Sequence, residues 1–300
     1  MGDLLNTKQA AEYLGINEKK IYYLAKTGKI PSTRVTGKWT FPKKLIDEWI
    51  EGSAGKPIRK VREQTPSLLL AAGSDDPSLG ILRDIYAQKT TPASLFWATV
   101  GSSAGLAAIR DGLADFALAH LLDPATGQYN LPYLRNQFSD GVAAVRLFSR
   151  EIGVVVKAGN PLEIKSIGDF TRRGIRMINR QPGSGIRFLF DHELGRLGVN
   201  GKKIAGYERT VFTHMEVGLR ILSGEADAGI AARSVARLLG LDFLDLTQEC
   251  FDLVIPKTRF SSDGIQTLLE IVGSKEFRGR VEIMGGYDVS EAGRVLTLGA

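Results

Sequence analysis

Between Leu4 and Glu51 the apolar pattern of the chain switches from helical spacing to alternation and back again, an order few small folds accommodate. Ala10, Ala11 and Leu14 recur at helical spacing, with Thr7 placed to cap the start. Gly15 allows a turn. Asn17 is placed to cap a second helix, in which Ile21, Leu24 and Ala25 form one apolar stripe. At about 100° per residue, Lys19, Tyr22, Tyr23 and Lys26 fall on the opposite side. Gly28 ends that helix. RVTGKWTF then alternates around Gly37 and Lys38 as a hairpin, and Pro42 opens a third helix carrying Leu45, Ile46, Trp49 and Ile50. Trp39 and Trp49 are expected to build the core, because so small a module needs large apolar groups.

Charge sets this module apart. Residues 1–52 hold nine Lys or Arg against six acids, and residues 53–65 hold four against one. The whole chain carries +6, so everything after residue 65 is neutral. Positive charge concentrated at one end is what a nucleic-acid partner requires. Two helices, a tight turn and a hairpin wing form a winged helix-turn-helix order. The outer face of its second helix suits a major groove: Lys19, Lys20 and Lys26 neutralise phosphates while Tyr22 and Tyr23 meet base edges. Residues 7–15 (TKQAAEYLG), 28–31 (GKIP) and 37–39 (GKW) closely resemble the excisionase/MerR-type winged helix-turn-helix family. That resemblance implies binding of double-stranded DNA, usually as a homodimer on a two-part site. It also implies that the second helix and the wing, with Arg34 and Lys38, form the contact surface.

Length and composition bound the remainder. Three hundred residues suit two or three domains. The reading assigns 1–52 to the DNA-binding module, 53–66 to a linker and 67–300 to a ligand-sensing domain. No apolar run approaches twenty residues, so no membrane span is expected, and no basic-then-apolar export pattern opens the chain. The lone Cys250 excludes an internal disulfide framework and fits a reducing cytoplasm. His120, His192 and His214 show no metal-ligand spacing, and neither metal nor cofactor is expected. His192 and His214 read as surface or helix-end residues.

After Ser67 strands and helices alternate. SLLLAAG, SLFWATV and FALAHL read as strands separated by helices over PSLGILRDIYAQK and SSAGLAAIRDGLAD, an order that builds a parallel sheet. A second such set begins near residue 166: IRMINR, DAGIA and DFLDLT as strands, with helices between them. Long extended crossings are expected near Ser149–Val155 and Glu249–Ile255. Two α/β lobes joined by two crossings are the plan of the type II periplasmic-binding-protein fold. Lobe 1 would hold 67–152 and 254–300, and lobe 2 would hold 153–253. Such lobes close on a ligand by hinge motion, and ligands bind off the carboxyl ends of the strands.

Those ends carry donors for a small anion. Gly73, Ser74 and Asp75 follow the first strand. Ser102 and Ser103 open a helix after Gly101, and His120 ends the third strand. RQPGSGIR repeats the arrangement in lobe 2, with Arg180, Ser184, Gly185 and Arg187. Free amides at a helix start, hydroxyls and guanidinium groups all donate to oxyanions. Neither loop has the order of a phosphate-binding P-loop. Asp76, before Pro77, is expected to cap a helix. Residues 73–77 (GSDDP), 120–123 (HLLD), Thr126-Gly127, Tyr129-Asn130 and 180–187 resemble the molybdate-binding-protein-like domain often fused to a helix-turn-helix. The resemblance implies a cytoplasmic transcriptional regulator with molybdate, tungstate or a related oxyanion as effector. Three alternatives stay open: an organic anion or a cationic metabolite as ligand, the latter with Asp75 as counter-charge; an enzyme on the same fold; or a DNA-anchored module with an empty cleft that acts through protein partners. An enzyme would need a nucleophile or a base pair at the cleft, such as Cys250 or His120 beside a carboxylate. The spacing of the residues supplies none, and a non-enzymatic role is expected.

Overall fold

The computed structural model describes residues 4–34, 37–53, 68–90, 95–138 and 141–298. The chain forms two compact units, Met1–Thr65 and Pro66–Ala300. The expected linker at 53–66 lies, apart from Ser53, outside the described residues.

The first unit contains β1 (Leu4–Asn6), helices Thr7–Leu14 and Glu18–Lys26, β2 (Thr33–Arg34), β3 (Trp39–Pro42) and helix Lys43–Ser53. The strands pair antiparallel in the order β1-β3-β2, with Arg34 opposite Trp39 at the wing. Gly15 takes a left-handed φ of 64° that lets the chain reverse between the first two helices. Asn6, not Thr7, caps the first helix: its side chain accepts from Gln9 N while the Gln9 side chain answers the Asn6 amide. A capping box satisfies two free N–H groups, one more than a lone Thr hydroxyl answers. Asn17 caps the second helix by accepting from Lys20 N at 2.8 Å. Ala10, Ala11, Ile21, Ala25, Ile30, Phe41 and Ile46 form the core, with Trp39 and Trp49 packed on it. Leu45 and Ile50, expected on the buried side of the third helix, are exposed. One turn of Ile46 and Trp49 already fills so small a core.

The second unit starts with β4 (Leu69–Gly73), helix Leu79–Lys89, β5 (Leu95–Thr99), helix Ser102–Arg110, β6 (Phe116–Ala119) and helix Leu131–Gln137. The long strand β7 (Val142–Val156) leads to β8 (Met177–Arg180), helix Gly185–Arg196, β9 (Thr210–Val211), helix His214–Leu222, β10 (Ala228–Ala232) and helix Arg233–Leu239. The long strand β11 (Asp242–Pro256) returns, followed by helices Lys257–Phe260, Asp263–Gly273 and Lys275–Met284, then β12 (Tyr287–Asp288) and β13 (Val295–Leu298). The sheet order is β5-β4-β6-β11-β7-β10-β8-β9, with β12 and β13 on the first half of β7. Neighbours within each lobe run parallel (β4 with β5 and β6, β8 with β9 and β10), while β7 and β11 run antiparallel to each other.

Two lobes follow from where the cores lie. Leu69, Leu118, Val145, Leu147, Phe251, Leu253 and the C-terminal helices pack together on one side. Ile152, Val154, Val156, Met177, Ile186, Phe190 and Ile230 pack on the other. The cores part at residues 149–151 of β7 and 247–250 of β11, where both strands cross. DFLDLT, read as a separate strand, and the crossing expected at Glu249–Ile255 are one continuous strand, bent by register shifts at Asp245/Thr247 and Phe251/Asp252. Among the described residues no helix is long and apolar enough to cross a membrane.

Candidate functional site

The crossing carries a buried charge network. Arg150 of β7 faces Glu249 of β11 in register. Its Nε donates to Glu249 Oε1 at 2.7 Å, and Nη2 lies 2.5 Å from the same oxygen. Nη1 pairs with the carboxylate of Asp76, which also accepts from Tyr287 Oη and from Ser78 N. Asp76, expected to cap the following helix, does not: the N-cap is Ser78, and Asp76 instead accepts from Ser78 N in the turn before it and anchors Arg150. Arg150, Asp76 and Glu249 are all buried. Burial alone would lower the Arg150 pKa, but Glu249 and Asp76 outweigh it and hold the charge. Burial likewise pushes Glu249 up, yet His120 and Arg150 bring it down to about 2.

Two histidines complete the network. His120 ends β6, stacked on Phe251 at 5.5 Å. Its Nδ1 is 2.9 Å from Glu249 Oε2, and burial lowers its pKa. A neutral ring against an ionised carboxylate must carry its proton on Nδ1. Nε2 is then a bare acceptor, and it is buried without a hydrogen-bond partner. His214 opens a lobe 2 helix and is fully buried, contrary to the surface position expected. Its Nε2 is 2.9 Å from Arg150 Nη2 and its Nδ1 accepts from Ala232 N at 3.0 Å. A second proton would set N–H against N–H on both edges. Burial and then Arg150 keep its pKa well below the histidine range.

His120, His214 and Glu249 bring ligand atoms within 4.8 Å of one another. Arg150 Nη2 sits between Glu249 Oε1 and His214 Nε2, so a guanidinium already occupies the place a metal cation would need. His120 beside Glu249 is the pairing an enzyme would require. No nucleophile among the described residues hydrogen-bonds Nε2, however. Cys250 is half-buried, with its thiol pushed up by burial and 3.7 Å from Ser149 Oγ.

Facing this network, the end of β8 presents the lobe 2 groups. Arg180 is buried; Nη2 donates to Phe212 O at 2.7 Å and Nε to Gln181 Oε1 at 3.3 Å. Nη1 has no partner. Burial pulls its pKa down to about 10 despite the attraction of Asp75. Gln181 Nε2 and Arg187 Nη1 are also buried without partners. Arg187 stacks on Tyr207 at 4.1 Å and pairs with Asp191 at 3.0 Å. From lobe 1, Asp75 is partly accessible, and its pKa is pushed up to about 6 by burial and by Asp76, against Arg180 and Arg150.

The lobes touch at two glycine contacts. A Cβ on Gly101 would meet Gly183 O at 3.3 Å and Gln181 Nε2 at 3.5 Å. A Cβ on Gly185 would meet His120 Nδ1 at 2.3 Å. The loops at 101–103 and 180–187 therefore face each other, but their hydroxyls do not behave as expected. Ser102 Oγ bonds Ser74 Oγ at 2.7 Å and accepts from His120 N at 3.2 Å. Ser184 Oγ caps its own helix at Arg187 N, and Ser103 is exposed. Gly73 O is taken by the amides of Val100 and Gly101. Among the buried side-chain nitrogens of these two loops the donors left without a partner, Arg180 Nη1, Gln181 Nε2 and Arg187 Nη1, all belong to lobe 2, while the oxygens of Ser102 and Ser184 already accept local bonds. Arg150, Glu249, His214 and Gln181 were not among the expected site residues.

In the first unit, Lys19, Lys20, Tyr22, Tyr23 and Lys26 lie exposed along the second helix, both tyrosines 52% exposed. Lys20 Nζ stands 5.6 Å from the Tyr23 ring. On the wing, Arg34 lies over Trp39 at 5.2 Å with Nε donating to Gly37 O, and Lys38 is exposed. Lys43, by contrast, is tied to Asp47 at 3.2 Å and lies over Tyr13 at 4.7 Å.

A helix-turn-helix head and a two-lobed α/β domain define the architecture of a DNA-binding protein with a ligand-binding domain. Residues 83–273 match the PBP superfamily domain, and the chain belongs to that superfamily. Residues 4–54 match the Helix-turn-helix domain. The uncharacterized protein YvgK of Bacillus subtilis is 30% identical over 302 residues, spanning 96% of each chain. A Clostridium pasteurianum protein, described as uncharacterized and encoded in the 5' region of a 2Fe-2S ferredoxin gene, is 33% identical over 36% of this chain and 97% of its own. Among solved structures, a putative phosphate ABC transporter substrate-binding protein from Clostridium perfringens with bound phosphate superposes with a TM-score of 0.56. It shares 13% identity and covers 74% of this chain and 98% of its own. Corynebacterium glutamicum OxyR superposes with a TM-score of 0.51 at 13% identity, covering 93% of this chain and 90% of its own. These likenesses establish the fold.

Proposed function

We propose that the protein is a transcriptional regulator in which closure of the two lobes on a small oxyanion controls how the helix-turn-helix head engages DNA, and that it acts as a homodimer in the cytoplasm. The observation that carries the ligand class is Arg180: a buried guanidinium with an unanswered Nη1 and no carboxylate within salt-bridge distance among the described residues. An uncompensated buried cation is costly, and an anion in the cleft relieves that cost. Gln181 Nε2 and Arg187 Nη1 add unanswered donors. Gly73, Ser74, Ser102 and Gly185 shape the walls. A ligand moves the equilibrium only if it binds one arrangement of the lobes more tightly, and contacts to both lobes supply that difference.

The experiment is a thermal and calorimetric titration of the full chain with molybdate, tungstate, phosphate and sulfate. At about 100 times its dissociation constant, a bound anion stabilises the protein by roughly 2.7 kcal/mol. No shift with any tetrahedral oxyanion removes this ligand class. Light scattering with and without operator DNA checks the dimer.

A further inference from the structure

We infer that the cleft selects an oxyanion that carries its own proton, of the hydrogen phosphate or hydrogen arsenate kind, over fully deprotonated sulfate, molybdate or tungstate. The inference rests on the oxyanion reading and deepens it. It comes from an imbalance in the unanswered groups. Arg180 Nη1 and Gln181 Nε2 are donors. His120 Nε2 is an acceptor, because Glu249 holds the proton on the Nδ1 edge and the ring stays neutral. His120 is 1% exposed, so that lone pair lies away from bulk solvent. Asp75 adds a carboxylate whose oxygens meet no hydrogen-bond or salt-bridge partner among the described residues, close enough to Arg180 for each to shift the other's ionisation.

A site that offers both guanidinium N–H and bare lone pairs matches an anion that accepts on some oxygens and donates from another. Hydrogen phosphate has one O–H at neutral pH. That one O–H answers one of the two acceptors, His120 Nε2 or the Asp75 carboxylate, whereas sulfate and molybdate have none and answer neither. Buried hydrogen-bonding groups left unpaired give selectivity far larger than shape alone provides.

The carboxyl of Asp75 is faced by Asp76 from its own loop, Arg180 from β8, Arg150 from β7 and Glu216 from the helix at 214–222. Below about pH 6 it takes a proton and becomes a donor, which suits fully deprotonated anions. Selectivity for phosphate is therefore expected to shrink as pH falls from 7.5 to 5.

The test is isothermal titration of the full chain with inorganic phosphate, arsenate, sulfate and molybdate at pH 7.5 and pH 5, on the wild type and on Asp75→Asn. Asp75 is partly accessible and hydrogen-bonds no other side chain, so the variant is expected to fold, which its melting temperature checks. The expected result is phosphate and arsenate at least tenfold tighter than sulfate and molybdate at pH 7.5. That ratio should fall at pH 5 and in Asp75→Asn, whose amide can donate. Sulfate or molybdate binding as tightly as phosphate to the wild type at pH 7.5 overturns the inference while leaving the oxyanion reading in place. A ratio unmoved by both pH and Asp75→Asn overturns the part given to Asp75. Absence of binding by all four anions overturns the oxyanion reading itself.

Discussion

At the scale of single residues the site separates groups that hold the fold from groups that are costly to it. Arg150 belongs to the first kind. It answers Asp76 and Glu249 at once, and its loss leaves two buried carboxylates uncompensated. Replacing Arg150 with Met is expected to destabilise the protein by about 3–5 kcal/mol, read from urea unfolding. Arg180 belongs to the second kind. Its charge is desolvated with no carboxylate to pair it, so Arg180→Met is expected to leave stability unchanged or raised while abolishing the anion-induced thermal shift. A large loss of stability in Arg180→Met would show that the guanidinium is structural and remove the main support for the anion site. Of these two arginines only Arg180 was legible in the sequence. It ends a strand before a helix start, where the carboxyl-end rule directs attention. Arg150 and Glu249 stand 99 positions apart, and nothing local joins them. The available signal was a charge inside an apolar strand, at FSREIGVVV and at QECFDLVIP, which a search confined to loops passes over.

At the scale of elements, helix starts and strand ends do most of the positioning. The helix-turn-helix was readable because its information is local: a cap at Asn17, a left-handed Gly15 and a stripe of small apolar residues. The serine loops were readable as helix starts, but a sequence does not show that a hydroxyl is already engaged at home, as those of Ser102 and Ser184 are. The helix Gly185–Arg196 meets His120 through a residue without a side chain. Gly185→Ala is expected to hold the lobes apart and weaken anion binding by about tenfold or more, because the new methyl would stand 2.3 Å from an imidazole nitrogen fixed by Glu249. Titration calorimetry reads the loss, and an unchanged affinity would show that this contact is not part of the closed state. In the head, Lys19→Ala or Lys38→Ala is expected to make the salt dependence of DNA binding shallower by about one unit per lost phosphate contact. Lys43→Ala should leave that slope alone, since Asp47 and Tyr13 already hold its ammonium. Equal slopes for all three variants would argue against the assigned face.

At the scale of the whole molecule, the buried network makes stability depend on acidity. His120 and His214 have pKa values below the ordinary value of about 6.5, so the unfolded chain binds protons there that the folded chain refuses. Stability is therefore expected to fall as pH drops below about 6.5. Glu249, held down to about 2, adds a further loss as pH falls from about 4.5 toward 2. Asp75 works in the opposite sense, because its raised pKa favours the folded state at low pH and that contribution disappears as pH rises through about 6. Urea unfolding across pH 3–8 should therefore show a steeper acid loss in Asp75→Asn than in the wild type. Identical curves would mean that Asp75 titrates alike folded and unfolded. A last consequence follows from the rung where Arg150 meets Glu249. In the proposed closure this pair is the fulcrum on which the halves swing, and Glu249 also sets the tautomer of His120, the imidazole facing the proposed guest. Recognition and mechanical compliance are therefore written in the same few atoms. A descendant of this chain that changes its preferred guest by altering that rung must also change how readily it swings.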